Sequence, residues 1–135
     1  MALWLFKEEP GHYSYSQLER EGRTTWDGVR NALALRYLRQ VACGDRVLFY
    51  HTGKEKAIIG EMKVLRGPSE EPPSSENQTV SVEVAAVRRL ERPVPLARIK
   101  EDPVLANWDL VRLPRLSVVP VTEEQWQRIE TLSRS

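Results

Sequence analysis

Apolar positions along the chain fall in short blocks whose period changes from two residues to three or four and back again. Leu3-Trp4-Leu5-Phe6 is a continuous apolar run closed by Lys7 and then by Glu8-Glu9-Pro10-Gly11, which predicts a short buried strand over residues 3–7. Ser14 and Gln17 have the spacing of a capping box, so a short helix is expected through Leu18 to Glu21, with Gly22 ending it. Leu33, Tyr37, Leu38 and Val41 make one apolar stripe at helical spacing. Asn31 is its expected N-cap, Arg36 and Arg39 mark the wet side, and Gly44 is expected to close it. From Asp45 the period shortens. Arg46–His51 and Ala57–Leu65 read as a hairpin turned by Thr52-Gly53-Lys54-Glu55-Lys56, and residues 79–84 alternate strictly, as a strand with one wet face does. Gly67–Gln78, holding Pro68, Pro72 and Pro73, reads as a solvated loop.

The last third is less regular. Leu96–Lys100 predicts one helical turn, Asp102-Pro103 the start of another, and Leu116–Val119 a strand stopped by Pro120. Thr122-Glu123-Glu124-Gln125 is a second capping box, with two acids suited to the positive end of a helix dipole. It opens a final helix that presents Trp126 and Ile129 on one side before a polar tail. Strands from non-adjacent positions, three or four short helices and no repeat together predict an α+β fold built on a curved sheet or small barrel.

Composition narrows the partners. The 135 residues suffice for one domain, 1–135, with one core, and 41% hydrophobic content lets it fold without metal or disulfide. Twenty Lys and Arg almost cancel nineteen Asp and Glu, for a net charge of +1. A protein that grips a long phosphate backbone carries a basic excess, so any contact with nucleic acid is expected to be local. Cys43 is the lone cysteine, expected as a buried structural thiol, and it leaves no disulfide or cysteine zinc site within the chain. The first residues are too short for a signal sequence and no run approaches a membrane span, so a soluble, cytoplasmic protein without membrane contact is expected.

The candidate chemistry sits in the connections. Trp26-Asp27-Gly28-Val29-Arg30-Asn31 places an indole beside amide and carboxylate groups around a glycine, which suits a pocket that stacks on a flat ring and bonds its edge. The same residues also suit a buried tryptophan, a turn and a helix cap. Phe49-Tyr50-His51 adds an imidazole that either faces a ligand or makes a structural hydrogen bond. His12 and His51 have no metal-ligand spacing, and no nucleophile elbow accompanies them, so neither a metal site nor a catalytic residue is called. Thr52-Gly53-Lys54 lacks the rest of a phosphate loop. Lys54, Lys56, Lys63 and Arg66 form a basic stretch diluted by Glu55 and Glu61, read as a solvated edge, while Glu8, Glu9, Glu70 and Glu71 read as solvated loop charges.

Taken together, Trp4-Leu5-Phe6-Lys7, Glu9-Pro10, Tyr13-Ser14, Leu18, the Trp26–Asn31 run, Leu38-Arg39, Gly44-Asp45, Phe49-Tyr50-His51, Ile59-Gly60, Arg115–Val118 and Pro120-Val121 resemble the EVE domain family across nearly the whole chain. The resemblance implies a PUA-like fold, a small curved β-barrel with flanking short helices, more distantly similar to YTH domains. It also implies a reader of modified bases, notably modified cytosine in DNA. Where the family commonly has a serine between the Lys and Glu of its first motif, this chain has Glu8, which puts ligand specificity in question.

On this reading the chain is a non-enzymatic binding module for a modified base flipped from DNA or RNA, with no cofactor. Trp26 stacks on the base, with Tyr50 or Trp108 on its other face; Asn31, His51 and Ser117, with Asp27 nearby, read its edge; Lys7, Arg30 and Arg115 hold backbone phosphates. Two alternatives stay open: a hydrolase of the ASCH type on a nucleoside-like substrate, using Lys7 or His51, and an adaptor that binds RNA or protein through an exposed aromatic surface. Oligomeric state is not legible.

Overall fold

The computed structural model describes residues 1–70 and 80–135. The elements run β1 (Leu3–Glu8), α1 (Tyr15–Glu21), β2 (Arg23–Trp26), α2 (Ala32–Leu38), β3 (Arg46–His51), β4 (Ala57–Glu70), β5 (Val80–Pro95), α3 (Leu96–Glu101), α4 (Asp109–Arg112), β6 (Val118–Val121) and α5 (Glu123–Arg134). Six strands form one mixed sheet in the order β2-β5-β4-β3-β1-β6. β1 lies parallel to β3, Leu3 opposite Arg46 through Glu8 opposite His51, and the remaining pairs are antiparallel. Register slips break the β3–β4 ladder at Phe49/Tyr50 and the β4–β5 ladder at four places. Each slip bends the bulged strand, and the series curves the sheet around Phe6, Tyr15, Phe49 and Met62, all fully buried. No helix among the described residues is long and apolar enough to cross a membrane.

Side-chain bonds to backbone explain where the expected elements start and stop. Ser14 Oγ accepts from the Gln17 amide at 3.1 Å, as expected; the Gln17 side chain turns instead to Glu21 at 3.3 Å. Asn31 Oδ1 accepts from the Ala34 amide at 3.0 Å and starts α2. That helix ends at Leu38 with Arg39 as its cap, six residues short of Gly44. Buried Asp45 is the cause: its carboxylate takes the amides of Ala42 and Ala2 and the Trp4 indole N–H at 2.9–3.0 Å, pulling the chain out of helix before Gly44 turns it at φ 92°. Cys43, in that turn, is exposed rather than buried, its thiol on the Leu65 carbonyl.

The sheet also reaches further than the pattern showed. Trp26 ends an edge strand, β2, paired with Val82 of β5, where connecting chain was expected. β4 continues through Gly67-Pro68-Ser69 to Glu70, and β5 through Pro93 to Pro95. The rest of the expected loop, Glu71 included, and Thr79, the first residue of the expected strand, lie outside the described residues. Asp102-Pro103 opens turns, and the helical turn follows at Asp109. β6 begins at Val118, after Ser117, and Pro120 sits inside it opposite Trp4; an edge strand has one unpaired side on which a missing N–H costs nothing. The Thr122 capping box forms with both of its bonds.

Candidate nucleic-acid interface

Alternation along β1 and β3 divides the expected site residues between two faces of the sheet. Phe6 and Glu8 share one face with Phe49 and His51; Lys7 and Tyr50, opposite each other in register, share the other. On the first face β2 brings Trp26 over the core. Its ring packs 5.4 Å from Phe6 and edge-on 5.3 Å from Phe49, centroid to centroid, and only 5% of the residue stays exposed. Its remaining surface walls a cavity of about 210 Å³ lined by Glu8, His12, Tyr13, Thr24, Thr25 and Asp27. Trp26 therefore belongs to the core and to a cavity wall at once.

The cavity is polar and acidic at its rim. Glu8 Oε1 accepts from the Glu9 amide at 2.9 Å and lies 3.2 Å from His12 Nδ1, with the Glu8 side chain 24% exposed and that of His12 79%. The Tyr13 hydroxyl donates to Glu21 at 2.8 Å, and burial raises its pKa. Asp27 is exposed and lines the cavity beside Gly28, where the chain turns at a φ of 77°. Four of these residues, His12, Tyr13, Thr24 and Thr25, were not marked as ligand-facing from sequence, and Glu8 was read as a solvated charge. The signal for Glu8 was available, since it sits two residues from Phe6 and hence on the same side of the strand.

The other expected residues lie away from this cavity, several of them in structural tasks. His51 is buried; its Nε2 accepts the Tyr15 amide at 3.1 Å and its Nδ1 lies 2.7 Å from Glu55, so a neutral ring protonated on Nδ1 satisfies both. Asn31 spends its side-chain oxygen on the cap of α2, and neither residue lines the Trp26 cavity. Trp108 is buried with its indole N–H on the Pro120 carbonyl at 3.0 Å. Ser117 is half-buried and offers its carbonyl to the Lys7 amide at 2.9 Å. Arg30 and Arg115 are exposed, Arg30 four residues past Trp26 and Arg115 beside Pro114. Tyr50 and Lys7 line a different cavity, where burial pushes the tyrosine hydroxyl up to about 12 and the lysine ammonium down to about 8.

The fold that carries these cavities recurs in known proteins. The EVE domain model matches residues 2–132. Human thymocyte nuclear protein 1 is 31% identical over an alignment 163 positions long, covering 96% of this chain and 72% of that protein. The structure of human THYN1 in complex with 5-methylcytosine-containing DNA superposes with a TM-score of 0.90 at 30% identity, covering all of this chain and 99% of the other. Rpa0253 of Rhodopseudomonas palustris gives 0.91 at 34% identity, over 99% and 94%. An ASCH protein of Zymomonas mobilis, at 0.67 and 17% identity over 97% and 95%, shares the fold alone. The PUA-like α+β architecture expected from the sequence is thus the one observed, as an open curved sheet, and the chain belongs to the EVE domain family.

Proposed function

We propose that this chain is a non-enzymatic module that takes one modified cytosine, flipped from DNA, into the Trp26 cavity. The observation that carries the reading is the cavity itself: one aromatic wall and a rim of carboxylates and hydroxyls, in a volume suited to a single pyrimidine. A cytosine presents an exocyclic amine, which donates, and Glu8 and Asp27 are the acceptors placed to receive it. Thr24 and Thr25 supply hydroxyls that donate or accept as the ring edge requires. On this reading the exposed Arg30, four residues past Trp26, meets a flanking phosphate. The DNA complex of human THYN1, a relative over the whole chain, supports the same partner class. We place the module in the cytoplasm, where its single exposed thiol stays reduced.

Oligonucleotides carrying cytosine, 5-methylcytosine or thymine at one position, in DNA and in RNA, test the reading by fluorescence anisotropy. The 5-methylcytosine DNA is expected to bind tightest. Trp26→Ala should remove the stacking worth about 1–3 kcal/mol per base, with circular dichroism melts confirming that the variant folds. Glu8→Ser should narrow the margin against thymine, whose carbonyl faces a carboxylate unfavourably in the wild type. Equal binding to every base, lost steeply in salt, would overturn the proposal. Release of free base or a deaminated product would replace it with an enzyme.

A further inference from the structure

Lys7, Lys56 and Lys100 line a second cavity of about 240 Å³, on the face of the sheet opposite Trp26. Its floor is apolar, with Tyr50 from β3, Leu96 from α3 and Leu110 from α4, and no carboxylate lines it. Lys7 Nζ donates to the Pro114 carbonyl at 3.0 Å and stands 5.7 Å from the centre of the Tyr50 ring. Among the described residues none of the three lysines has a carboxylate partner. A half-buried ammonium held by a carbonyl and an aromatic face is solvated incompletely, and an anion would repair the deficit.

Lys56 supplies an independent observation. It alone among the described non-glycine residues has a left-handed backbone, φ 43°, a conformation that glycine adopts freely and lysine does not. Its carbonyl accepts the Leu96 amide at 2.8 Å, which ties the β3–β4 turn to the start of α3 and fixes this lysine at the cavity rim. Strained backbone kept where a glycine would relax it is characteristic of positions with a task.

We infer that this cavity is a binding site for a small organic anion, a carboxylate or phosphate monoester with a flat or aliphatic body, whose head is held by Lys7, Lys56 and Lys100 and whose body rests on Tyr50, Leu96 and Leu110. The site is separate from the Trp26 cavity and does not depend on the base-binding proposal.

Titrating the 15N-labelled protein with benzoate, phenyl phosphate and benzyl alcohol in the absence of nucleic acid tests it. Both anions should shift the amides of Lys7, Tyr50, Gly53 and Lys100 saturably, leave Thr25, Trp26 and Asp27 unmoved, and raise the Lys7 titration midpoint; benzyl alcohol should do none of this. Stronger binding of phenyl phosphate would point to phosphate monoesters as the source, and of benzoate to carboxylates. Lys100→Met, on the exposed side of α3, should weaken the anions about tenfold and leave oligonucleotide binding unchanged. No saturable response to either anion, or an equal response to benzyl alcohol, would overturn the inference. So would movement of these amides with oligonucleotide alone, which would assign the lysines to a nucleic-acid backbone.

Discussion

Gly60 and Tyr15 show how much of this molecule turns on single side chains. A Cβ built at Gly60 would lie 2.4 Å from the Tyr15 ring, well inside contact distance. The Tyr15 hydroxyl reaches across β4 and β5 to the carbonyls of Glu61 and Arg88, each at 2.8 Å, so the ring has nowhere to go. Its burial pushes the hydroxyl pKa up to about 12. Overpacking a rigid core costs roughly 1–3 kcal/mol, and Gly60→Ala belongs at the upper end, a loss that urea unfolding would register; an unchanged midpoint would mean that the ring moves aside. Nothing in the sequence beside Ile59-Gly60 announces this, because the partner lies forty-five positions away. The same holds for His51: its residue type suited a ligand, and its neighbours in space, the Tyr15 amide and Glu55, are what occupy both ring nitrogens.

At the level of elements, local chemistry was legible wherever it was self-contained. Ser14, Asn31 and Thr122 each cap the helix that their spacing announces. Elements governed by remote partners were not: β2 is a strand because β5 pairs with it, and α2 stops early because Asp45 holds the Ala42 amide in the turn that follows the helix. α5 combines both kinds of control. Its capping box is local, but Trp126, Ile129 and Leu132 are buried against the sheet, and Glu130 reaches Arg88. Arg88 and Arg46 in turn pair with buried Glu61, at 3.2 and 2.9 Å, and the Arg46 guanidinium lies 4.5 Å from the Trp126 ring centre. Thr122→Ala removes one of the two capping bonds and is expected to cost about 1 kcal/mol, or roughly 3–5 °C in melting temperature. A larger loss would show that α5 docks only when its first turn is fixed.

For the molecule as a whole, the near balance of charge bears on how it meets a polyanion. A net charge of +1 leaves binding dependent on a few local cations and on the base itself. Affinity for duplex DNA should therefore fall with salt along a log–log slope of no more than about 3 in magnitude, corresponding to roughly three neutralised phosphates; anisotropy titrations over a salt series measure it, and a slope twice as steep would make the backbone the dominant contact. The caps, the buried strands and the family were legible in the chain alone, because hydrogen bonds between near neighbours and the period of apolar residues are written locally. Which residues share a cavity depends on how the strands pair in three dimensions. Strand alternation sends adjacent residues to opposite faces, so Lys7 and Glu8, neighbours in the chain, open onto different cavities, while Trp26 and Glu8, eighteen positions apart, meet at one.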